Sequence, residues 1–103
     1  MIMLDIKTEV NGSEVIIYVD GRLDTVTSPQ LTEEIDKIMP SVDKIILDIE
    51  KVEYVSSAGL RVFLAADNNM REKGGELNMR NVPGPVMDVF EMTGFSSALN
   101  IIE

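Results

Sequence analysis

The chain has 103 residues, and nine Lys and Arg against eighteen Asp and Glu give it a net charge of −9. That length suits one hydrophobic core and is short for two, and with no basic face available, nucleic acid and anionic membrane surfaces are poor partners. Cysteine and histidine are absent, which removes disulfides, thiolate chemistry, the Ser-His-Asp triad and the usual zinc sites.

Leu4, Ile6 and Thr8 alternate with Asp5, Lys7 and Glu9, the period of a half-buried strand. Asn11-Gly12 is a hairpin signal. Val15-Ile16-Ile17-Tyr18-Val19 is apolar on both faces and reads as a more central strand, antiparallel to the first. Asp20 to Thr27 is the expected loop leaving it. A helix follows, with Thr27 or Ser28 as cap, Pro29 in its first turn and Gln30 completing a Thr-x-x-Gln capping box. Leu31, Ile35 and Ile38 share one face of that helix, with Glu33, Glu34, Asp36 and Lys37 elsewhere, and Pro40 is its expected stop.

Lys44 to Ile49 is almost continuously apolar, which predicts a buried, parallel third strand. The second helical pattern begins at Leu60 and runs through Phe63, Leu64 and Met70, with Gly74-Gly75 as its stop. Leu77 to Arg80 alternates as a fourth strand. Pro83-Gly84-Pro85 opens a short third helix with Val86, Val89 and Phe90 on one face, and Gly94 closes it. Ser97 to Ile102 is the expected fifth strand.

The order β-β-α-β-α-β-α-β predicts an α/β fold. Its sheet is mixed and mostly parallel, with an antiparallel N-terminal hairpin, strands in sequential order and helices mainly on one face. Residues 1–103 are expected to form a single domain. The methionines at 70, 79, 87 and 92 read as core filling. Met1 to Lys7 lacks a basic n-region and a continuous apolar run, and no apolar stretch approaches the roughly 18 residues of a membrane helix. A soluble cytoplasmic location is the expectation.

The chemistry concentrates at Val52 to Arg61, where Ser56-Ser57 stands between the end of a strand and the start of a helix. The free N–H groups and dipole of a helix N-terminus favour negative charge. A serine there caps the helix, and the same place holds a phosphate well. The two roles are compatible. Asp24 has two readings, a turn or cap aspartate and an acidic neighbour of the serines, because sequential parallel strands bring its loop beside theirs. Glu33-Glu34 reads as a solvated helix face. No Walker, Rossmann or Gly-x-Ser-x-Gly loop is present.

Val55-Ser56-Ser57-Ala58-Gly59-Leu60 after an apolar strand, preceded by Gly21-x-Leu23-Asp24-x-x-Thr27, resembles the STAS domain family, and within it the bacterial anti-sigma factor antagonists. The resemblance spans the chain from the opening hairpin to Met92-Thr93-Gly94-Phe95. It implies a non-enzymatic partner-switching protein without a cofactor. Unphosphorylated, such a protein binds an anti-sigma factor that is also a serine kinase and so frees a sigma factor. Phosphorylation at the serine two residues before Gly-Leu, here Ser57, releases it, and a PP2C-type phosphatase restores it.

The implied partner surface is the Asp24 loop with Thr27, the corner Ser56, Ser57, Ala58 and Gly59, and the exposed side of the second helix around Arg61. Where the best-studied antagonists carry aspartate before the phosphoserine, this chain has Ser56, a second candidate acceptor. The family's final helix has no counterpart after the fifth strand, so the expected state is a monomer or weak dimer. STAS-like domains also serve as structural subunits of stress-signalling assemblies and lipid-transport ATPase complexes, the alternative function the resemblance implies.

Overall fold

The computed structural model describes residues 4–102; residues 1–3, part of the N-terminal reading above, lie outside that range. β1 (Asp5–Asn11) and β2 (Glu14–Leu23) form an antiparallel hairpin. Its turn is Gly12-Ser13, one residue later than Asn11-Gly12, because Gly12 supplies the positive φ of 64° at the first turn position. β3 (Lys44–Val55), β4 (Glu76–Arg80) and β5 (Ile101–Ile102) add in parallel, and the strand order is sequential from β1 to β5.

Two strands outrun the apolar patterns that announce them. β2 continues through residues 20–23, which the sequence assigns to a loop, and β3 continues beyond Ile49 to Val55. The two extensions pair with each other, Asp20 opposite Lys51, Gly21 opposite Val52 and Leu23 opposite Val55, through two register irregularities. Gly21, at φ 126°, takes the backbone conformation one of these needs. Their polar residues hide them from a search for hydrophobic alternation.

α1 (Ser28–Ile38) stops two residues before Pro40, as expected, and Pro40 itself lies in a 3₁₀ turn at Met39–Ser41. The anticapated capping box is absent. The Thr27 hydroxyl faces backward, donating to the Arg22 carbonyl at 2.7 Å. The Gln30 side chain instead holds both backbone groups of Leu4, at 2.9 and 3.3 Å, and ties α1 to the start of the sheet.

α2 (Ser57–Glu72) begins a turn before Leu60 and closes as expected, with Gly74 at φ 83° and the Gly75 amide on the Met70 carbonyl at 2.8 Å. α3 (Gly84–Thr93) ends at Gly94, φ 82°. The predicted long fifth strand is replaced by a helical turn, α4 (Phe95–Ala98), leaving two residues of β5. The Leu99 amide on Phe95 and the Ser97 hydroxyl on the Gly94 carbonyl hold that turn, so residues 97–98 cannot extend.

One face of the sheet carries Val15, Ile17, Val19, Ile45, Leu47, Ile49, Leu77 and Met79 in a single buried cluster with Leu31, Ile35, Leu60, Phe63, Met70 and Phe90 from the helices. Phe63 and Phe90 meet edge to face with centroids 6.1 Å apart, locking α2 against α3. Of the four methionines expected inside, Met70 and Met79 are fully buried and Met87 is half-buried, while Met92 is 86% exposed on the far side of α3 from Phe90. The opposite sheet face holds Ile16, Ile46 and the Asp48–Arg80 ion pair at 2.8 Å.

Candidate functional site

Parallel pairing of β2 with β3 sets Leu23 opposite Val55, so both strands deliver their next residues to one corner of the molecule. The ladder runs one bond further, the Ser56 amide donating to the Leu23 carbonyl at 2.8 Å. Beyond that bond one chain becomes the Asp24 loop and the other becomes α2. Gly59 fixes how closely the helix sits. A Cβ there would lie 2.9 Å from Leu23 and Val55 side-chain carbons, so α2 packs its first turn against both strand ends only because position 59 has no side chain.

The two serines are not equivalent. Ser56 is the N-cap, with extended backbone (φ −86°, ψ 177°) and its hydroxyl accepting the Gly59 amide at a long 3.4 Å. Its carbonyl accepts the Leu60 amide at 3.0 Å. Ser57 is the first helical residue and is exposed, and its hydroxyl has no hydrogen bond among the described residues. The first turn of α2 contains no acidic residue, so its positive end is uncompensated.

Asp24 and Thr27 organise the facing loop. The Asp24 carboxylate accepts the amides of Thr27 and Val26, both at 3.0 Å, and the Thr27 hydroxyl accepts the Asp24 amide at 2.9 Å. The Thr27 amide's hydrogen bond holds the Asp24 carboxyl below the usual carboxylate range, helped by the Thr27 hydroxyl, the Val26 amide and the charge of Arg22. These bonds make Asp24 a turn aspartate, while the N-cap position of α1 is Thr27. Asp24 reaches the serine corner through the backbone, by way of the Ser56–Leu23 bond, with no side-chain hydrogen bond to either serine.

Of the sequence-derived site residues, Ser57 and Arg61 are exposed, Asp24, Ser56 and Ala58 are half-buried, and Thr27 and Gly59 are buried and shape the corner from beneath. Two features escape sequence reasoning. Arg22 stacks on its cross-strand neighbour Tyr54 at 4.6 Å, a pairing visible only once residues 20–23 are known to be strand. A groove of about 760 Å³ also runs between α1 and α2 past Thr25, Pro29, Thr32, Ala58 and Val62, with the buried Ser28 hydroxyl, which has no hydrogen-bond partner among the described residues, at its wall. Among the described residues no group of three or more acidic side chains is placed to hold a metal ion, and no helix is long and apolar enough to cross a membrane.

The model of the STAS domain family matches residues 5–103. The anti-sigma-B factor antagonist of Listeria monocytogenes is 29% identical over 101 residues, 97% of this chain and 88% of the relative. The unphosphorylated anti-sigma factor antagonist SpoIIAA superposes with a TM-score of 0.77 at 22% identity, covering 96% of this chain and 88% of that one. The phosphorylated form of SpoIIAA from Bacillus gives 0.75 at 20% identity, covering 96% and 92%. At these identities the two superpositions speak to the fold alone.

Proposed function

The chain belongs to the STAS domain family, and from that premise we propose that it is an anti-sigma factor antagonist switched by phosphorylation of Ser57. Unphosphorylated, it binds an anti-sigma factor with serine kinase activity and frees a sigma factor. The kinase moves the γ-phosphoryl group of ATP onto the Ser57 oxygen: the new O–P bond forms as the bond to ADP breaks, and the hydroxyl proton leaves. The modified protein dissociates, and a PP2C-type phosphatase hydrolyses the phosphate. The protein itself is regulatory and non-catalytic, acts in the cytoplasm, and works as a monomer or weak dimer.

The observation that carries this reading is the division of labour between the serines. Ser56 is committed to the cap, which leaves Ser57 exposed with a free hydroxyl. A phosphate on Ser57 adds about −1.5 to −2 charges where the helix N-terminus tolerates them. Docking changes and the fold does not. The contacting groups are Ser57, Ala58 and Arg61 with the tip of the Asp24 loop, while Thr27, Ser56 and Gly59 set the shape.

Affinity isolation from the native host with Ser57→Ala and Ser57→Asp baits tests the mechanism. Ser57→Ala should retain a partner identified by mass spectrometry as an ATP-dependent anti-sigma kinase, and Ser57→Asp should lose it. Equal retention by both baits would replace the switch with a permanent assembly.

A further inference from the structure

We propose that Arg61 is the internal counter-ion of a phosphate on Ser57, so that phosphorylation withdraws this guanidinium from the partner as well as adding negative charge. The inference rests on Ser57 being the acceptor and deepens that reading by naming the group that receives the phosphate.

Three of the four arginines are engaged. Arg22 lies over Tyr54 at 4.6 Å, Arg71 pairs with Asp67 at 3.1 Å, and Arg80 pairs with Asp48 at 2.8 Å. Arg61 is exposed and, among the described residues, has no ion pair, hydrogen bond or ring contact. It also sits one turn into a helix whose first turn lacks any acidic residue, an unfavourable place for a cation. A negative group at the start of α2 would relieve both deficits.

Geometry selects Ser57 as the place for that group. Positions 57 and 61 are four residues apart within α2, so they lie on one face, one above the other. Long helical side chains lean toward the N-terminus, which carries the guanidinium over the first turn and toward position 57. An acid four residues N-terminal to a base is the favoured order for such a pair, and a guanidinium matches phosphate in a forked geometry. Ser56 brings no charge of its own to compete, and the Asp24 carboxylate is occupied by its loop amides. Before modification Arg61 is free to meet a carboxylate on the partner. Afterwards it is held at home.

The test installs phosphoserine at position 57 of the full chain during translation and follows its second ionisation by phosphorus NMR. The titration should lie about 0.3 pH units lower in the native sequence than in Arg61→Gln at low salt, with Arg61→Lys between them, and added salt should shrink the gap. Coincident curves for the native and Arg61→Gln proteins would overturn the pairing. Because the phosphate is supplied directly, this result is independent of host modification. A host that never modifies Ser57 would defeat the proposed switch and leave the pair standing.

Discussion

Ser56 and Leu23 are joined by a single backbone hydrogen bond of 2.8 Å at the point where two parallel strands end, and everything at the corner hangs from it. On one side of the bond the chain enters a loop knotted by Asp24 and Thr27. On the other side it turns into α2 with Ser57 at the surface. The bond also fits the proposed switch, in which a phosphate changes binding with little effect on folding: the corner is held by backbone amides, the side chains of Asp24, Thr27 and Ser56 and a buried glycine, and the Ser57 hydroxyl is not among them.

Gly59→Ala should therefore cost about 1–3 kcal/mol, because the added methyl would approach Leu23 and Val55 to 2.9 Å at sites with little freedom to move. Urea denaturation measures it. An unchanged midpoint would mean that α2 can slide outward freely.

The serines should separate in a stability measurement. Ser56→Ala loses a cap and should cost about 0.5–1 kcal/mol, at the low end because its bond is 3.4 Å long. Ser57→Ala should fall within about 0.5 kcal/mol of the native protein, as surface changes do. Reversed costs would identify Ser57 as the cap and remove the argument that it is free.

Asp24 has a folded-state pKa below its ordinary value, so its contribution to stability is present above the unfolded pKa of about 4 and fades as pH falls through the lower folded value. The gap in Tm between the native protein and Asp24→Ala should be constant near neutrality and should close below about pH 4. A gap that persists at the acid end would assign the effect to packing instead of charge.

On the far sheet face, Arg80→Met should destabilise by about 2–3 kcal/mol. It leaves the Asp48 carboxylate, 5% exposed as a residue, with Asn81 and the Glu50 amide as its hydrogen-bond partners. The partly exposed arginine keeps the cost below that of a fully buried pair. Replacing Asp48 by Leu at the same time should recover most of it, and additive losses would show that the two residues act independently.

The strands and helices with clean apolar periods, from Val15 to Val19, Lys44 to Ile49 and along α1 to α3, were legible in the sequence because burial of one face dictates their composition. The 20–23 and 50–55 extensions were not, since their buried residues Leu23, Val52 and Val55 are interleaved with charged ones and set off the strict two-residue period by two register irregularities. The Gln30 side chain likewise spends itself on Leu4, a partner 26 residues away, so local capping rules misassign it. Ser56 and Ser57 could be located but not ranked from sequence. Their ranking depends on which of them takes the extended backbone of a cap.

Phosphopeptide mapping of the protein recovered from its native host, through growth, starvation and stress, tests the central claim most directly. The account predicts a single phosphate, on Ser57, with stoichiometry that changes between conditions. Phosphate on Ser56, or none in any condition, would contradict it.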